Sequence, residues 1–107
     1  MDELTVGQAA ARTGWSPRML RYIERAALVV PRRTPAGYRL YGLRELNQLR
    51  ALRELLGRFG IELGDVVFAV RLRRDAALRS AVDAWIASTE LAALEWEQRK
   101  QERLLAA

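Results

Sequence analysis

Residues 16–28 read SPRMLRYIERAAL and carry a well-marked helix start. Ser16 is a favoured N-cap, because its hydroxyl can accept a hydrogen bond from a backbone N–H of the first turn. Pro17 suits the first helical position, where the N–H that proline lacks would be unpaired in any case. The sequence therefore predicts a helix that begins at Pro17 and continues towards Leu28.

The two sides of this predicted helix differ in chemistry. Leu20, Ile23 and Ala27 recur at helical spacing and can be buried together. The opposite side carries three arginines and one tyrosine, namely Arg18, Arg21, Tyr22 and Arg25. One face can thus pack on a core while the other offers guanidinium groups and a phenol, a pattern that favours contact with nucleic acid.

The residues before this helix complete a helix-turn-helix spacing. Thr5 and Gln8 have the form of a capping box, which predicts that a first helix begins there. Gly14 can adopt the left-handed conformation that ends a helix. A first helix, a short turn with glycine and a second helix from Ser16 match the helix-turn-helix motif. Two ordinary helices of a bundle are the alternative, and the arginine face favours DNA binding over it.

Residues 29–41 predict a β-hairpin. Two valines and a proline disfavour a helix, and the residues after them alternate around a Pro-x-Gly turn. On the second arm we expect Tyr38 and Leu40 on one face, and Arg39 and Tyr41 on the other. A hairpin with arginines on both arms beside a basic helix is typical of a wing, and a surface hairpin with solvated arginines is the alternative.

The remainder of the chain is predicted to be helical. Leucines at intervals of three and four from Leu43, ended by two glycines, predict one helix, and a weaker helix follows over residues 63–72. From about Asp75 to the end there is no proline or glycine, which predicts one long helix. Its apolar positions form a heptad-like stripe: Leu78, Val82, Trp85, Thr89, Ala92 and Trp96.

This stripe predicts a partner helix. Each tryptophan can bury about 150–250 Å² of surface, which is too much to leave exposed on so small a domain. A second copy of the same helix, parallel or antiparallel, is the favoured partner, and the domain's own flank is the alternative. Beyond Trp96 the stripe would bury Arg99 and Arg103, so we expect the pairing to weaken there. The predicted dimer interface comprises Val82, Trp85, Thr89, Ala92 and Trp96.

Positive charge is concentrated in the first half of the sequence. The 107 residues carry a net charge of +5, but residues 1–58 hold 11 arginines against 5 acids, whereas residues 59–107 hold 7 bases against 8 acids. Clustered positive charge is the footprint of a domain that neutralises phosphates. All but one of the 18 basic residues are arginine, which suits two-pronged contacts with phosphate or guanine. A GC-rich genome would account for that ratio, but not for the clustering.

Composition also excludes several classes of function. The absence of cysteine and histidine removes disulfides, thiolate and imidazole metal sites and the usual pairs of nucleophile and base. Because the acidic residues are scattered along the sequence, we expect this protein to have no enzymatic activity, no metal site and no cofactor. No apolar run could cross a bilayer, and the acidic start is unlike a signal peptide, so we expect a cytoplasmic protein of the nucleoid with no membrane partner.

The sequence resembles the MerR-type winged helix-turn-helix transcriptional regulators over residues 4–72. Four segments carry the resemblance: LTVGQAA (4–10), LRYIER (20–25) with Leu28 after it, GYRLY (37–41), and the leucine ladder that ends in FGIEL (59–63). The pairing of arginine-tyrosine-x-glutamate with glycine-tyrosine-arginine-x-tyrosine about fifteen residues later is more specific than either motif alone.

The resemblance implies a mainly α fold with two parts. Residues 1–73 would form a winged helix-turn-helix DNA-binding domain with a small β-hairpin wing, and residues 74–107 a coiled-coil dimerisation helix. The resemblance further implies a homodimer on double-stranded DNA, at a near-palindromic promoter operator that it distorts so that RNA polymerase can engage both promoter elements.

The resemblance also suggests which residues contact DNA. Arg21, Tyr22, Tyr38 and Arg39 would hold phosphates, and two residues early in the second helix, Arg18 and Met19, are the candidates for base edges. The full set of predicted DNA contacts is Thr5, Pro17, Arg18, Met19, Arg21, Tyr22, Arg33, Tyr38, Arg39 and Tyr41.

The sequence departs from the family pattern at three points. Ile23 replaces a usual second tyrosine, and Glu62 replaces a serine or threonine cap. Many relatives add an effector domain or metal-binding cysteines beyond the dimer helix, whereas this sequence ends soon after that helix and contains no cysteine or histidine. We therefore expect no sensor domain in this chain and no thiolate sensing. An architectural DNA-coating protein and a protein-interaction module built on the two tryptophans are the alternative functions.

Overall fold

The computed structural model describes residues 3–106 and is mainly α-helical, as predicted. A two-stranded antiparallel hairpin follows the second helix, and a long helix ends the chain. In chain order the elements are α1 (Val6–Thr13), α2 (Pro17–Arg25), β1 (Arg32–Arg33), β2 (Arg39–Leu40), α3 (Leu43–Phe59), α4 (Leu63–Arg74) and α5 (Ala76–Ala106). The chain divides into two compact units between Val67 and Phe68, and each is described by itself.

The starts of α1 and α2 follow the predicted caps. The Thr5 hydroxyl accepts from the Gln8 N–H at 3.3 Å, and the Gln8 side chain accepts from the Thr5 N–H at 2.9 Å. The Ser16 hydroxyl accepts from the Met19 N–H at 3.1 Å. Gly14 closes α1 with a φ of 81°. The helix-turn-helix therefore begins and turns where the sequence predicted.

The end of α2 differs from the prediction, because the helix stops at Arg25 rather than near Leu28. The N–H of Ala27 donates to the carbonyl of Glu24, and the N–H of Leu28 donates to the carbonyl of Ile23. This pair of bonds is a Schellman motif, which requires a left-handed residue. Ala27 supplies it with a φ of 57°, so it is exposed and does not join the buried face with Leu20.

The core of the first unit lies between α1, α2, α3 and the start of α4. Trp15 closes one side of it, and its indole N–H donates to the carbonyl of Leu49 at 2.9 Å. The buried apolar residues are Ala9, Leu20, Ile23, Val29, Tyr41, Leu46, Leu49, Leu52 and Leu63. The core therefore holds α2 by its apolar face and leaves its arginine face outward.

The hairpin is confirmed, but its predicted faces are wrong at Tyr41. β1 and β2 pair with Arg32 opposite Leu40 and Arg33 opposite Arg39. Strand β2 ends at Leu40, and Tyr41 forms an antiparallel bridge with Leu4 through two hydrogen bonds of 2.8 Å. That pairing places the Tyr41 ring in the core, 1% exposed, instead of on the polar face of the wing.

The second unit is dominated by α5. Its first turn is capped by Asp75, whose carboxylate accepts from the Leu78 N–H at 3.0 Å. α4 runs two residues past the predicted end, to Arg74. Among residues 3–106, no helix is both long enough and apolar enough to span a membrane.

Candidate nucleic-acid interface

The outward side of α2 presents the predicted basic face. Arg18, Arg21 and Arg25 are exposed, and no carboxylate in the described part of the chain forms an ion pair with them. Met19 and Tyr22 are half-buried and pack against the core, which fixes their positions. A shallow open groove runs along this side and is lined by Ser16, Arg18, Met19, Tyr22 and Arg25. Fixed apolar side chains and free arginines thus share one surface of the helix.

Two residues of the predicted site lie at the starts of α1 and α2. Thr5 and Pro17 are both exposed, at the N-cap of α1 and the first position of α2. Unpaired backbone N–H groups and the helix dipole make such ends favourable for anions. The capping box already uses both the hydroxyl and the backbone N–H of Thr5, so a phosphate at this end would meet the N–H groups of the first turn of α1.

The wing meets α2 at Glu24, the glutamate of the arginine-tyrosine-x-glutamate motif, for which no role was predicted from the sequence. Arg33 Nη2 lies 2.6 Å from one carboxylate oxygen of Glu24, and Arg39 Nε lies 2.7 Å from the other. Burial alone would raise the pKa of the Glu24 carboxyl, but the hydrogen bonds from Arg39 and Arg33 outweigh it and hold the pKa below 4.5. Glu24 is the only acidic residue between Leu4 and Arg44, a signal that could have identified it.

The wing arginines differ in how much of each is engaged. Arg33 also donates from Nη1 to the carbonyl of Gly37 at 2.8 Å, so both of its terminal nitrogens have protein partners. Arg32 forms an ion pair with Glu3. Tyr38, at the turn, is 73% exposed. Of the predicted wing contacts, Tyr38 is freely presented, whereas Arg33 and Arg39 are each engaged in part, with side chains 47% and 26% exposed.

Tyr41 does not present its hydroxyl to solvent, so we revise its predicted DNA contact to a packing role. Its hydroxyl is buried, and no donor or acceptor among residues 3–106 pairs with it. Burial and the nearby negative charge of Glu24 raise the pKa of Tyr41 above 10.0, against the opposing fields of Arg39, Arg33 and Arg21.

A second candidate surface lies on α5. Trp85 is 69% exposed and Trp96 is 61% exposed, while Val82 is half-buried. Thr89 and Ala92 lie between the tryptophans on the same stripe of the helix, and both are exposed. The predicted dimer residues are therefore displayed together on one helix. Leu91 and Leu94 are also exposed but lie on the other side of α5, outside that stripe.

A metal centre has no support in the described residues, since residues 3–106 contain no group of three or more acidic, histidine or cysteine ligands placed to hold an ion.

Comparison with known proteins identifies relatives over most of the chain. Two curated proteins are each 30% identical over 93 residues: the heavy metal-dependent transcription regulator 2 of Rhizobium meliloti and the HTH-type transcriptional regulator HmrR of Sinorhizobium medicae. The alignment covers 86% of this chain and 63% of each relative. The chain thus spans less than two thirds of the length of these relatives.

Solved structures share the fold. The N-terminal part of MtaN, the multidrug transporter activator of Bacillus subtilis, is 26% identical with a TM-score of 0.54, and the match covers 97% of this chain and 99% of that one. A MerR family regulator of Bacillus cereus is 24% identical with a TM-score of 0.55, covering 97% and 75%. HiNmlR, described as a MerR family regulator lacking the sensor domain, bound to promoter DNA, is 20% identical with a TM-score of 0.53, covering 92% and 76%.

The match to a family model settles the assignment. The model described as MerR HTH family regulatory protein aligns with residues 4–68, which include the helix-turn-helix, the wing and α3. Because this alignment covers more than half of the chain, the protein belongs to the MerR helix-turn-helix family of regulatory proteins.

Proposed function

We propose that this protein is a sequence-specific, DNA-binding transcriptional regulator that binds a near-palindromic promoter operator as a homodimer. The observation that carries the proposal is the outward face of α2, where arginines that have no carboxylate partner among residues 3–106 flank side chains fixed by the core. Membership of a family of regulatory proteins supports the same function. Such a protein acts in the cytoplasm, at the nucleoid.

Base reading is assigned to the start of α2. A helix in the major groove presents its N-terminal residues to base edges. Arg18 is exposed there and can bind guanine with two donors, and Met19 can contact a thymine methyl group. Few side chains on this helix can reach bases, so sequence preference also depends on the shape and deformability of the DNA.

Backbone contacts are assigned to two residues of α2 and to the wing. Arg21, Tyr22, Tyr38 and Arg39 supply guanidinium and phenol donors for phosphates, and the helix starts at Thr5 and Pro17 supply backbone dipoles. Contacts of this kind set the register of the protein on the duplex. They also supply the binding energy needed to distort a promoter so that RNA polymerase can engage it.

Dimerisation is assigned to α5, through Val82, Trp85, Thr89, Ala92 and Trp96. We retain residues 1–73 as the DNA-binding domain and residues 74–107 as the dimerisation helix. Two copies joined in this way would present two α2 helices at a fixed separation, which explains why an operator would be nearly palindromic.

The heavy-metal dependence in the name of one curated relative is not transferred to this chain. The Rhizobium meliloti protein is described as heavy metal-dependent. This sequence contains no cysteine or histidine, the ligands that soft metals prefer. The proposal therefore covers DNA binding and dimerisation and assigns no effector.

The test compares the salt dependence of DNA binding by three proteins. Arg21→Ala should weaken binding to a selected duplex and flatten the slope of log affinity against log salt by about one, because one phosphate contact is lost. Arg58→Ala is the matched control, since this exposed arginine lies at the far end of α3 and stacks on Phe59 at 5.2 Å. Sedimentation should show the same oligomer in all three.

A different result is expected if the protein is instead a protein-interaction module. In that case Arg21→Ala would bind the duplex as the unmodified protein does, and the proposed function would be wrong.

A further inference from the structure

Glu24 joins the recognition helix α2 to the wing. Each of its two carboxylate oxygens accepts from a different arginine, at 2.6 Å from Arg33 and 2.7 Å from Arg39. The carboxylate side chain is only 14% exposed. Charge-assisted hydrogen bonds in a poorly solvated position are stronger than exposed ion pairs. The orientation of the wing relative to α2 is therefore set before any DNA is bound.

Arg33 has a structural use on both of its terminal nitrogens. Nη2 donates to Glu24, and Nη1 donates to the carbonyl of Gly37 in the hairpin turn. Arg33 thus links the hairpin turn to α2, and the carboxylate of Glu24 balances the positive charge of Arg33. Arg39 is bound through Nε, and no partner among residues 3–106 takes its terminal Nη donors. Arg39 therefore keeps every N–H on its two terminal nitrogens, whereas Arg33 keeps one N–H on each terminal nitrogen and its Nε–H.

The carboxylate of Glu24 also opposes DNA binding in general. A negative charge beside a phosphate-binding surface weakens attraction to every duplex, whatever its sequence. A fixed wing, by contrast, helps only where the backbone has the expected shape and register. These two effects act in the same direction on selectivity, since both lower non-specific binding relative to operator binding.

We propose that Glu24 is a positioning residue for DNA recognition, which fixes the wing through Arg33 and Arg39, directs one N–H of each Arg33 terminal nitrogen to partners within the protein, and lowers non-specific affinity in favour of discrimination. This inference rests on the proposed DNA-binding function. It assigns Arg33, a predicted DNA contact, to a positioning role.

The main test measures Glu24→Gln on a selected operator duplex and on a scrambled duplex of equal length, over a range of salt. Binding to the scrambled duplex should tighten by on the order of threefold to tenfold, with a salt slope steeper by about one, because Arg33 is released. The ratio of operator to scrambled affinity should fall by about tenfold. Glu54→Gln removes the same charge from an exposed position on α3 and should leave slope and ratio unchanged.

The outcomes separate this inference from the proposed function. If the unmodified protein binds in a salt-dependent manner and Glu24→Gln changes neither slope nor ratio, the positioning role is wrong and the DNA-binding function stands. If the unmodified protein shows no salt-dependent binding to any duplex, both are wrong. In the free protein, the NMR signal of the Arg39 Nε–H should shift on Glu24→Gln, and an unshifted signal would contradict the positioning role without any reference to DNA.

A second test uses a different variant, so that it does not require the Glu24→Gln protein to fold. Arg33→Gln should keep the salt slope of the unmodified protein while the operator ratio falls, whereas Arg21→Gln should flatten the slope by about one. A slope that flattens by about one in Arg33→Gln would show a direct phosphate contact and overturn the assignment.

Discussion

Tyr38 and Tyr41 lie three residues apart in opposite surroundings. The Tyr41 hydroxyl is buried and lacks a partner among residues 3–106, while Tyr38 is 73% exposed. A buried unsatisfied polar group costs about 1–3 kcal/mol. Tyr41→Phe should therefore raise the free energy of unfolding by about 1 kcal/mol and leave DNA affinity unchanged. Urea denaturation and duplex titration would measure the two quantities.

Tyr38→Phe is the matched variant, because it removes the same hydroxyl from an exposed position. It should leave the free energy of unfolding within about 0.5 kcal/mol of the starting value and weaken DNA binding. The packing role of Tyr41 would be contradicted if Tyr41→Phe lost DNA affinity as Tyr38→Phe does.

At the scale of single elements, the end of α2 carries identifiable strain. Ala27 has a φ of 57° in the Schellman motif, where a side chain costs about 1–2 kcal/mol and glycine costs nothing. Ala27→Gly should therefore stabilise the protein by about 1 kcal/mol, as measured by thermal or urea unfolding.

Ala51→Gly is the control for this change, because Ala51 is exposed within α3 and has ordinary helical surroundings. There glycine should destabilise by about 0.5–1 kcal/mol. If the two substitutions changed stability in the same direction, the strain assigned to Ala27 would not be present.

The helix ends that the sequence predicted correctly are those that are stabilised by hydrogen bonds between neighbouring residues. The caps at Thr5 and Ser16 and the closure at Gly14 each use partners within four positions, and all three were predicted correctly. The end of α2 was missed because alanine carries no mark of a left-handed conformation.

Pairings between distant residues could not be predicted in the same way. Glu24 is separated from Arg33 and Arg39 by nine and fifteen residues, and although its isolation among the acids marks it as a candidate partner, the arginines that it contacts are set by the fold. Tyr41 is turned inward by its bridge to Leu4, which alternation along one strand cannot reveal. The basic face of the candidate site could be predicted from the sequence, but the ion pairs of Glu24 with the wing arginines could not.

At the scale of the whole molecule, the account requires a dimer through the tryptophan stripe of α5. Trp85→Ala combined with Trp96→Ala removes two large exposed side chains from the predicted interface. Truncation of central interface tryptophans costs about 2 kcal/mol or more each, so the dissociation constant should rise by roughly a thousandfold in sedimentation equilibrium.

Leu91→Ala combined with Leu94→Ala is the control, since both leucines are exposed on the other side of α5. This pair should leave the dimer nearly as stable as before. A weakened dimer in the leucine pair and an unchanged dimer in the tryptophan pair would show that the wrong stripe had been assigned.

The central claim is that a dimer of this protein recognises a specific operator through α2 and the wing. Selection of bound sites from random double-stranded DNA at fixed salt tests it most directly. We expect an inverted repeat whose half-site centres lie about one helical turn, roughly 34–36 Å, or a multiple of it apart. Recovery of unrelated sequences, with protection that spreads along the DNA as protein concentration rises, would contradict it.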